Sequence, residues 1–303
     1  MGKIAFLFAG QGSQYPGMGR SLYDASAAAR AVFDAAERLR PGTLRQCFEG
    51  SAEELAVTAN TQPCLFTVDL ACAEALREAG VEAEAAAGFS LGEVAAVAFA
   101  GILCFDDAFR LVCRRAELMQ AAAEAHPGAM DAVLRLDAAK VEELASKYDK
   151  VFPVNYNCPG QTVVSGIPEQ LAAFEADVAA ARGRTVRLKV GGAFHSPFME
   201  EASRGLEDYL ASLSFAAPRI PLYANTDARP YGDAARLLAL QVKTPVRWQH
   251  TIETLLEAGF TRFIEVGAGK TLTGFMGKIG GAELALHVEN EETLAAAIAA
   301  LKV

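Results

Sequence analysis

The chain has 303 residues, 52% of them hydrophobic and 21% charged, with a formal net charge of −9. That length supports one large domain or two ordinary ones around a substantial core, and the composition excludes wholesale disorder. The negative balance argues against a nucleic-acid binder, which needs a basic face, and no apolar stretch approaches the ~20 residues of a membrane span. The cysteines at 47, 64, 72, 104, 113 and 158 form no CxxC pair, so they are expected as reduced thiols rather than a zinc or redox motif. The apolar run Ile4–Ala9 is too short for a signal peptide, and Phe6 stands where a myristoylation signal needs Ser or Thr. A soluble, cytoplasmic protein is expected.

Taken in chain order, Lys3–Ala9 is apolar throughout and predicts a buried parallel strand, followed by a glycine-rich loop from Gly10 to Gly19. Helical patterns run from about Ser26 to Leu39 and from about Pro63 to Ala79, where Gly80 offers a C-cap. Glu82–Ala87 is alanine-rich and helical by periodicity, yet the motif that follows it calls for a strand. Helices are then predicted to about Ala100 and over Phe105–Ala125, ending at His126-Pro127-Gly128.

Beyond that point the texture changes: strand Ala129–Leu136, helix Ala138–Tyr148, strands Phe152–Tyr156 and Thr162–Gly166, helix Pro168–Ala181, strand Thr185–Val190. This is the split βαβ order of a ferredoxin-like unit. Residues 128–190 are therefore predicted as a small α+β subdomain inserted into a larger α/β domain formed by 1–127 and 191–303. The larger domain resumes after Gly191, with a strand at Arg262–Val266 and a last helix whose first turn holds Glu289–Glu292.

Gly88-Phe89-Ser90-Leu91-Gly92 matches G-x-S-x-G, in which a serine is raised on a sharp strand-to-helix turn. The pattern occurs by chance, but here it lies between a candidate strand and a helix. A serine nucleophile needs a base, and there are four histidines. His126 sits in a turn, His250 opens a helix beside Trp248, and His287 lies in an apolar run without companions. His195 instead follows a strand in the small-residue loop Gly191–Pro197, a setting that suits an imidazole at a pocket edge and equally one bonded to nearby backbone. Gly10–Tyr15 starts like G-x-G-x-x-G but has Tyr15 in place of the last glycine, which argues against a dinucleotide site. Gly269-Lys270-Thr271 resembles the end of a P-loop, yet Ile264 stands where that motif needs glycine. The first loop can still offer backbone N–H groups to an oxyanion.

Together these pieces resemble the malonyl-CoA:acyl-carrier-protein transacylases and the acyltransferase domains of fatty acid and polyketide synthases. Phe8–Gln14 is similar to the family's opening loop and Gly88–Glu93 to its nucleophile elbow; Leu111–Gln120, Val154–Gln161, Gly192–Ser196, Gln241 with Thr244–Trp248, and Glu265–Lys270 follow in the family's order. The resemblance implies an α/β fold: a large α/β-hydrolase-like domain with a parallel sheet, plus the inserted ferredoxin-like subdomain. It implies that Ser90, activated by His195, takes the malonyl group from malonyl-CoA and passes it to the phosphopantetheine thiol of an acyl carrier protein. The histidine would be oriented by a backbone carbonyl near Gln241, and the N–H groups of Gln11 and Leu91 would form the oxyanion hole. Arg115 falls at the family's carboxylate-binding arginine, Phe194 resembles the malonyl-selecting form, Met119 would wall the acyl pocket or equally pack in the core, and Asn155 and Asn157 would meet the pantetheine arm.

No metal, bound cofactor, nucleic acid or membrane partner is implied, and a monomer is expected. Arg182, Arg184, Arg187 and Lys189 are the candidate docking face for an acidic carrier protein. One departure is Phe89, where the family commonly has histidine; an apolar ring there is expected to alter acyl selectivity or rate. Three other readings stay open: a stand-alone acyltransferase of polyketide synthesis, a serine esterase or thioesterase, and a non-catalytic carrier-protein binder.

Overall fold

The computed structural model of the protein describes residues 2–301, so Met1 and the last two residues of the expected large domain lie outside the described residues. The strands are β1 (Lys3–Phe8), β2 (Ala85–Gly88), β3 (Ala129–Leu134), β4 (Val151–Cys158), β5 (Gln161–Gly166), β6 (Arg184–Arg187), β7 (Leu222–Tyr223), β8 (Phe260–Val266) and β9 (Leu284–Val288). They form a five-stranded sheet in the order β7-β2-β1-β8-β9 and a four-stranded sheet in the order β4-β5-β3-β6. The first is parallel throughout and the second antiparallel throughout.

The parallel sheet is buried on both faces, which is why its strands read as continuous apolar runs rather than alternating ones. Side chains still alternate: Phe6 and Phe8 of β1 join one core cluster, whereas Ala5 and Leu7 join the other, with Trp248, Phe263 and Phe275. β1 is the centre of the sheet, in register with β2 from Ala5↔Ala85 to Phe8↔Gly88 and with β8 up to Phe8↔Val266. The loops after β1, β2, β7 and β8 consequently leave the same C-terminal edge, where open parallel sheets place their ligands. The alanine-rich segment before the G-x-S-x-G motif is a strand because β1 and β7 flank it; tertiary pairing overrides helix propensity there.

One expected boundary is corrected. The helix expected from Pro63 begins at Thr58 and runs to Glu78, enclosing Pro63. The five residues before Pro63 are helical as well, and they carry Gln62 to the site described below. Gly80, at φ +83°, ends this helix as expected. The helices Ser26–Leu39 and Phe105–Ala125 were expected within a residue of where they lie, at Ala27–Leu39 and Phe105–Ala125.

The antiparallel sheet packs one face against the helices Ala138–Ala145 and Pro168–Ala180 through Val133, Val141, Leu144, Val164, Leu171 and Phe174. Its other face contributes Met130, Ala132, Val154 and Val163 to the same cluster as Phe6 and Phe8, so the two sheets share a core. A bridge between Asn155 and Val246 ties β4 to the segment after Gln241. Among the described residues no helix is long and apolar enough to cross a membrane.

Candidate active site

The G-x-S-x-G glycines are dictated by close approach. A Cβ on Gly88 would meet the Gly92 carbonyl carbon at 2.0 Å, and one on Gly92 would meet Phe8 O at 2.2 Å. The elbow thus presses the start of the helix Leu91–Phe99 against the end of β1. Between these glycines Ser90 adopts φ 53°, ψ −102°, a sparsely populated conformation for a residue with a side chain and one that costs about 1–3 kcal/mol. Asn225, just after β7, offsets that cost. Its Oδ1 accepts from the Ser90 N–H at 2.7 Å and its Nδ2 donates to Gly88 O at 2.6 Å.

Ser90 Oγ lies 2.7 Å from His195 Nε2, and His195 Nδ1 lies 2.9 Å from the main-chain oxygen of Gln241. A carbonyl only accepts, so Nδ1 carries the proton and Nε2 is left as the acceptor facing the serine hydroxyl. Gln241 ends the helix Ala234–Gln241, where carbonyls lack intrahelical partners; this one takes only a long bond from the Thr244 N–H at 3.4 Å and keeps a lone pair for the imidazole. His195 is itself at φ 60° and is anchored by its N–H to Val242 O. Burial, reinforced by the nearby Arg115 charge, lowers its pKa to about 4, so the imidazole is neutral at ordinary pH. The arrangement allows the imidazole to take the serine proton without an aspartate.

Arg115 is 2% exposed. Its Nη2 donates to Ser90 Oγ at 3.1 Å and to Gln241 Oε1 at 2.7 Å, and its Nη1 donates to Gln62 Oε1 at 2.8 Å. Nε is buried with no partner. Burial lowers its pKa to about 10, which leaves it cationic at neutral pH. A buried guanidinium bonded only to uncharged oxygens, with a donor to spare, is suited to an incoming carboxylate. Arg114, its neighbour, is exposed and paired with Glu117.

Gln62 also touches Met119 Sδ and Gln11 Oε1, both at 3.5 Å, so the structure brings Gln11, Met119 and Arg115 around one amide. The N–H groups of Gln11 and Leu91 donate to no backbone carbonyl among the described residues. Phe194 is buried beside His195. Asn155 and Asn157 are buried on β4, each with an Oδ1 that has no partner, and neither is hydrogen-bonded to the serine cluster. Phe89 points into the core: its ring meets Trp248 edge-on at 5.4 Å and Phe275 at 6.3 Å. The other histidines stay outside: His126 and His250 are exposed and His287 lies on β9.

Three members of the cluster carried no expectation: Gln62, Asn225 and Glu93. Glu93 is 0% exposed and is the single charged residue of the helix Leu91–Phe99, a signal that was available in the sequence. Nothing in the sequence around Gln62 or Asn225 distinguishes them from ordinary surface amides.

The chain matches the family model described as the acyl transferase domain over residues 5–287. It belongs to that family. Within it, the chain is 39% identical to the malonyl CoA-acyl carrier protein transacylase of Bacillus subtilis strain 168, across 100% of this chain and 98% of that one. The fold agrees equally well with solved members: a malonyl CoA-acyl carrier protein transacylase from Clostridium perfringens superposes with a TM-score of 0.95 at 34% identity, covering 99% of this chain and 97% of that one. A malonyl-transacylase solved in complex with a type II polyketide synthase acyl-carrier protein gives a TM-score of 0.93 at 32% identity, covering 98% and 99%. These three relatives are matched over nearly their full length, and the two solved ones share the architecture of this chain.

Proposed function

We propose that the protein transfers a malonyl group from malonyl-CoA to the phosphopantetheine thiol of an acyl carrier protein, through a malonyl ester on Ser90, in fatty acid synthesis. The observation that carries this reading is the buried Arg115 guanidinium within 3.1 Å of Ser90 Oγ, held by neutral partners and lacking a carboxylate. An acyl group ending in a carboxylate supplies the missing partner; acetyl does not. An esterase has no need of such a cation beside its serine.

In the first half-reaction the Ser90 hydroxyl attacks the thioester carbonyl while His195 Nε2 takes its proton. The N–H groups of Gln11 and Leu91 face the developing oxyanion, and the start of the helix Leu91–Phe99 adds its dipole. Collapse breaks the C–S bond, the imidazolium returns its proton to the departing thiolate, and coenzyme A leaves. The carrier-protein thiol then repeats the steps in reverse. All the reacting groups in this scheme belong to the chain and its substrates, without a metal or bound cofactor, and one copy suffices.

In this reading residues 1–127 and 191–303 form an α/β-hydrolase-like unit and 128–190 a ferredoxin-like insertion, a division supported by the order β4-β5-β3-β6. The carrier would dock at the exposed Arg182, Arg184 and Lys189 around β6. Arg187 leaves that set, because it is spent on ion pairs with Asp131 and Glu175. Met119 and Phe194 would shape the acyl pocket, and Asn155 and Asn157 would receive amide N–H groups of the pantetheine arm.

Intact-protein mass spectrometry after brief exposure to malonyl-CoA tests the reading, with acetyl-CoA and Ser90→Ala alongside. A malonyl adduct on the unaltered protein alone, discharged by added carrier protein, is expected. An equal adduct from acetyl-CoA would remove Arg115 from its role, and steady coenzyme A release to water would favour a hydrolase.

A further inference from the structure

We propose that Glu93 is a positioning residue for malonyl selectivity: it fixes the side-chain amide of Gln241 so that the amide oxygen faces Arg115. The inference rests on the transferase reading above. Glu93 Oε2 accepts from Gln241 Nε2 at 2.5 Å, and Oε1 accepts from the Asn225 N–H at 3.3 Å. The same Gln241 Nε2 donates to Ser90 O at 2.7 Å, and Gln241 Oε1 accepts from Arg115 Nη2 at 2.7 Å. An amide held by two acceptors on its nitrogen has one orientation available. If it turned over, an NH2 group would confront the guanidinium, donor against donor, and two buried acceptors would lose their protons.

Glu93 is suited to this task because it is acceptor-only when ionised and presents two oxygens to two donors. Glutamine at 93 would offer one oxygen, so either Gln241 Nε2 or the Asn225 N–H would face an amide nitrogen. Glu93 is also the acidic group whose field reaches Arg115, so its charge offsets a cation that is completely buried. The titratable groups that face it are Arg115 and Tyr231, and the Tyr231 phenol is kept neutral by burial and by Glu93 itself. Burial raises the Glu93 pKa to about 7 against the pull of its hydrogen bonds. His195 is held differently, by the main-chain oxygen of Gln241, which the helix fixes regardless of the side chain. Glu93 therefore acts on the carboxylate clamp and spares the Ser90–His195 pair.

The test compares three reactions of Ser90 in the full-length protein and in Glu93→Gln: acylation by malonyl-CoA, acylation by acetyl-CoA, and sulfonylation by phenylmethanesulfonyl fluoride. The sulfonyl fluoride carries no carboxylate and reads the serine–histidine pair alone. Malonyl acylation is expected to fall roughly ten- to hundredfold in Glu93→Gln, the loss from one unsatisfied buried donor, with sulfonylation changed by less than about threefold. In a Gln241→Met background the same Glu93→Gln change is expected to add nothing further to the malonyl loss. Equal loss of all three reactions would make Glu93 a purely structural residue and overturn the proposal, as would unchanged malonyl acylation or full additivity with Gln241→Met. Failure of the unaltered protein to take malonyl at all would instead sink the transferase reading, and sulfonylation would still report whether the pair is intact.

Discussion

Two walls of the site proposed above are built on opposite principles. On the parallel-sheet side, Ser90, Glu93, Asn225, Gln241 and His195 form a closed network in which side-chain and main-chain groups bond one another before any ligand arrives. On the antiparallel side, Asn155 and Asn157 are buried with acceptors that have no partner. A closed network fixes geometry and lowers the reorganisation needed during reaction. Open acceptors instead mark where a ligand's own donors are expected, since buried polar atoms are rarely left unpaired. Arg115 stands between the two, with Nη1 and Nη2 bonded and Nε free.

If the closed wall works as a unit, cutting it at its far side should be felt at the serine. Asn225→Ala removes both clamps on the strained elbow, and a loss of about 1–3 kcal/mol in stability is expected. Displacing Ser90 should also lower malonyl acylation on the order of a hundredfold. Thermal unfolding and single-turnover acylation read the two effects, and a variant that lost stability alone would show that the elbow holds without its clamp.

A smaller effect separates the walls by pH. Because the His195 pKa is lowered to about 4, the base stays unprotonated and the rate of Ser90 sulfonylation, which does not use the carboxylate clamp, should be flat from about pH 8 down to about 5. The rate should fall only as pH drops through about 4. An unperturbed imidazole would already cost about tenfold near pH 5.5. The same shift makes the sign of the stability effect definite. Between about 6.5 and 4 the unfolded chain binds a proton that the folded site refuses, so this group's contribution to stability is lost as pH falls across that window. A limb near pH 6.5 would show that burial and Arg115 do not act on His195 as described.

The smallest effect belongs to the open wall. Asn155→Ala removes one acceptor proposed for the pantetheine arm, worth about 0.5–1.5 kcal/mol. The KM for malonyl-CoA should rise severalfold with kcat unchanged, and the rate of sulfonylation should not move. A drop in kcat would mean that β4 belongs to the closed network after all.

Much of the site was legible because its parts are local. The glycines of the elbow and the serine between them follow from short spacings whose physical demands are visible in the chain itself, whereas Arg115 was legible only through the resemblance to the family. The antiparallel sheet and its two helices were legible from element order, since strands and helices there alternate clearly and the turns are short. The boundary at Pro63 was misplaced because proline is tolerated inside a helix whose neighbours hold it, and only packing shows that. Glu93 stood inside a recognised motif, yet a charge on an apolar helix does not say what it faces.

What the sequence determined by itself, then, was the serine elbow and the layers that carry it, because apolar periodicity and close-packing glycines act over a few residues. What only the tertiary structure decided was the wiring. Gln62, Asn225 and Gln241 lie 28, 135 and 151 residues from Ser90 in the chain, and the packing of the helices Thr58–Glu78 and Ala234–Gln241 and of the segment after β7 brings them together. Hydrogen bonds of that range depend on distance and direction in space, which no local pattern records.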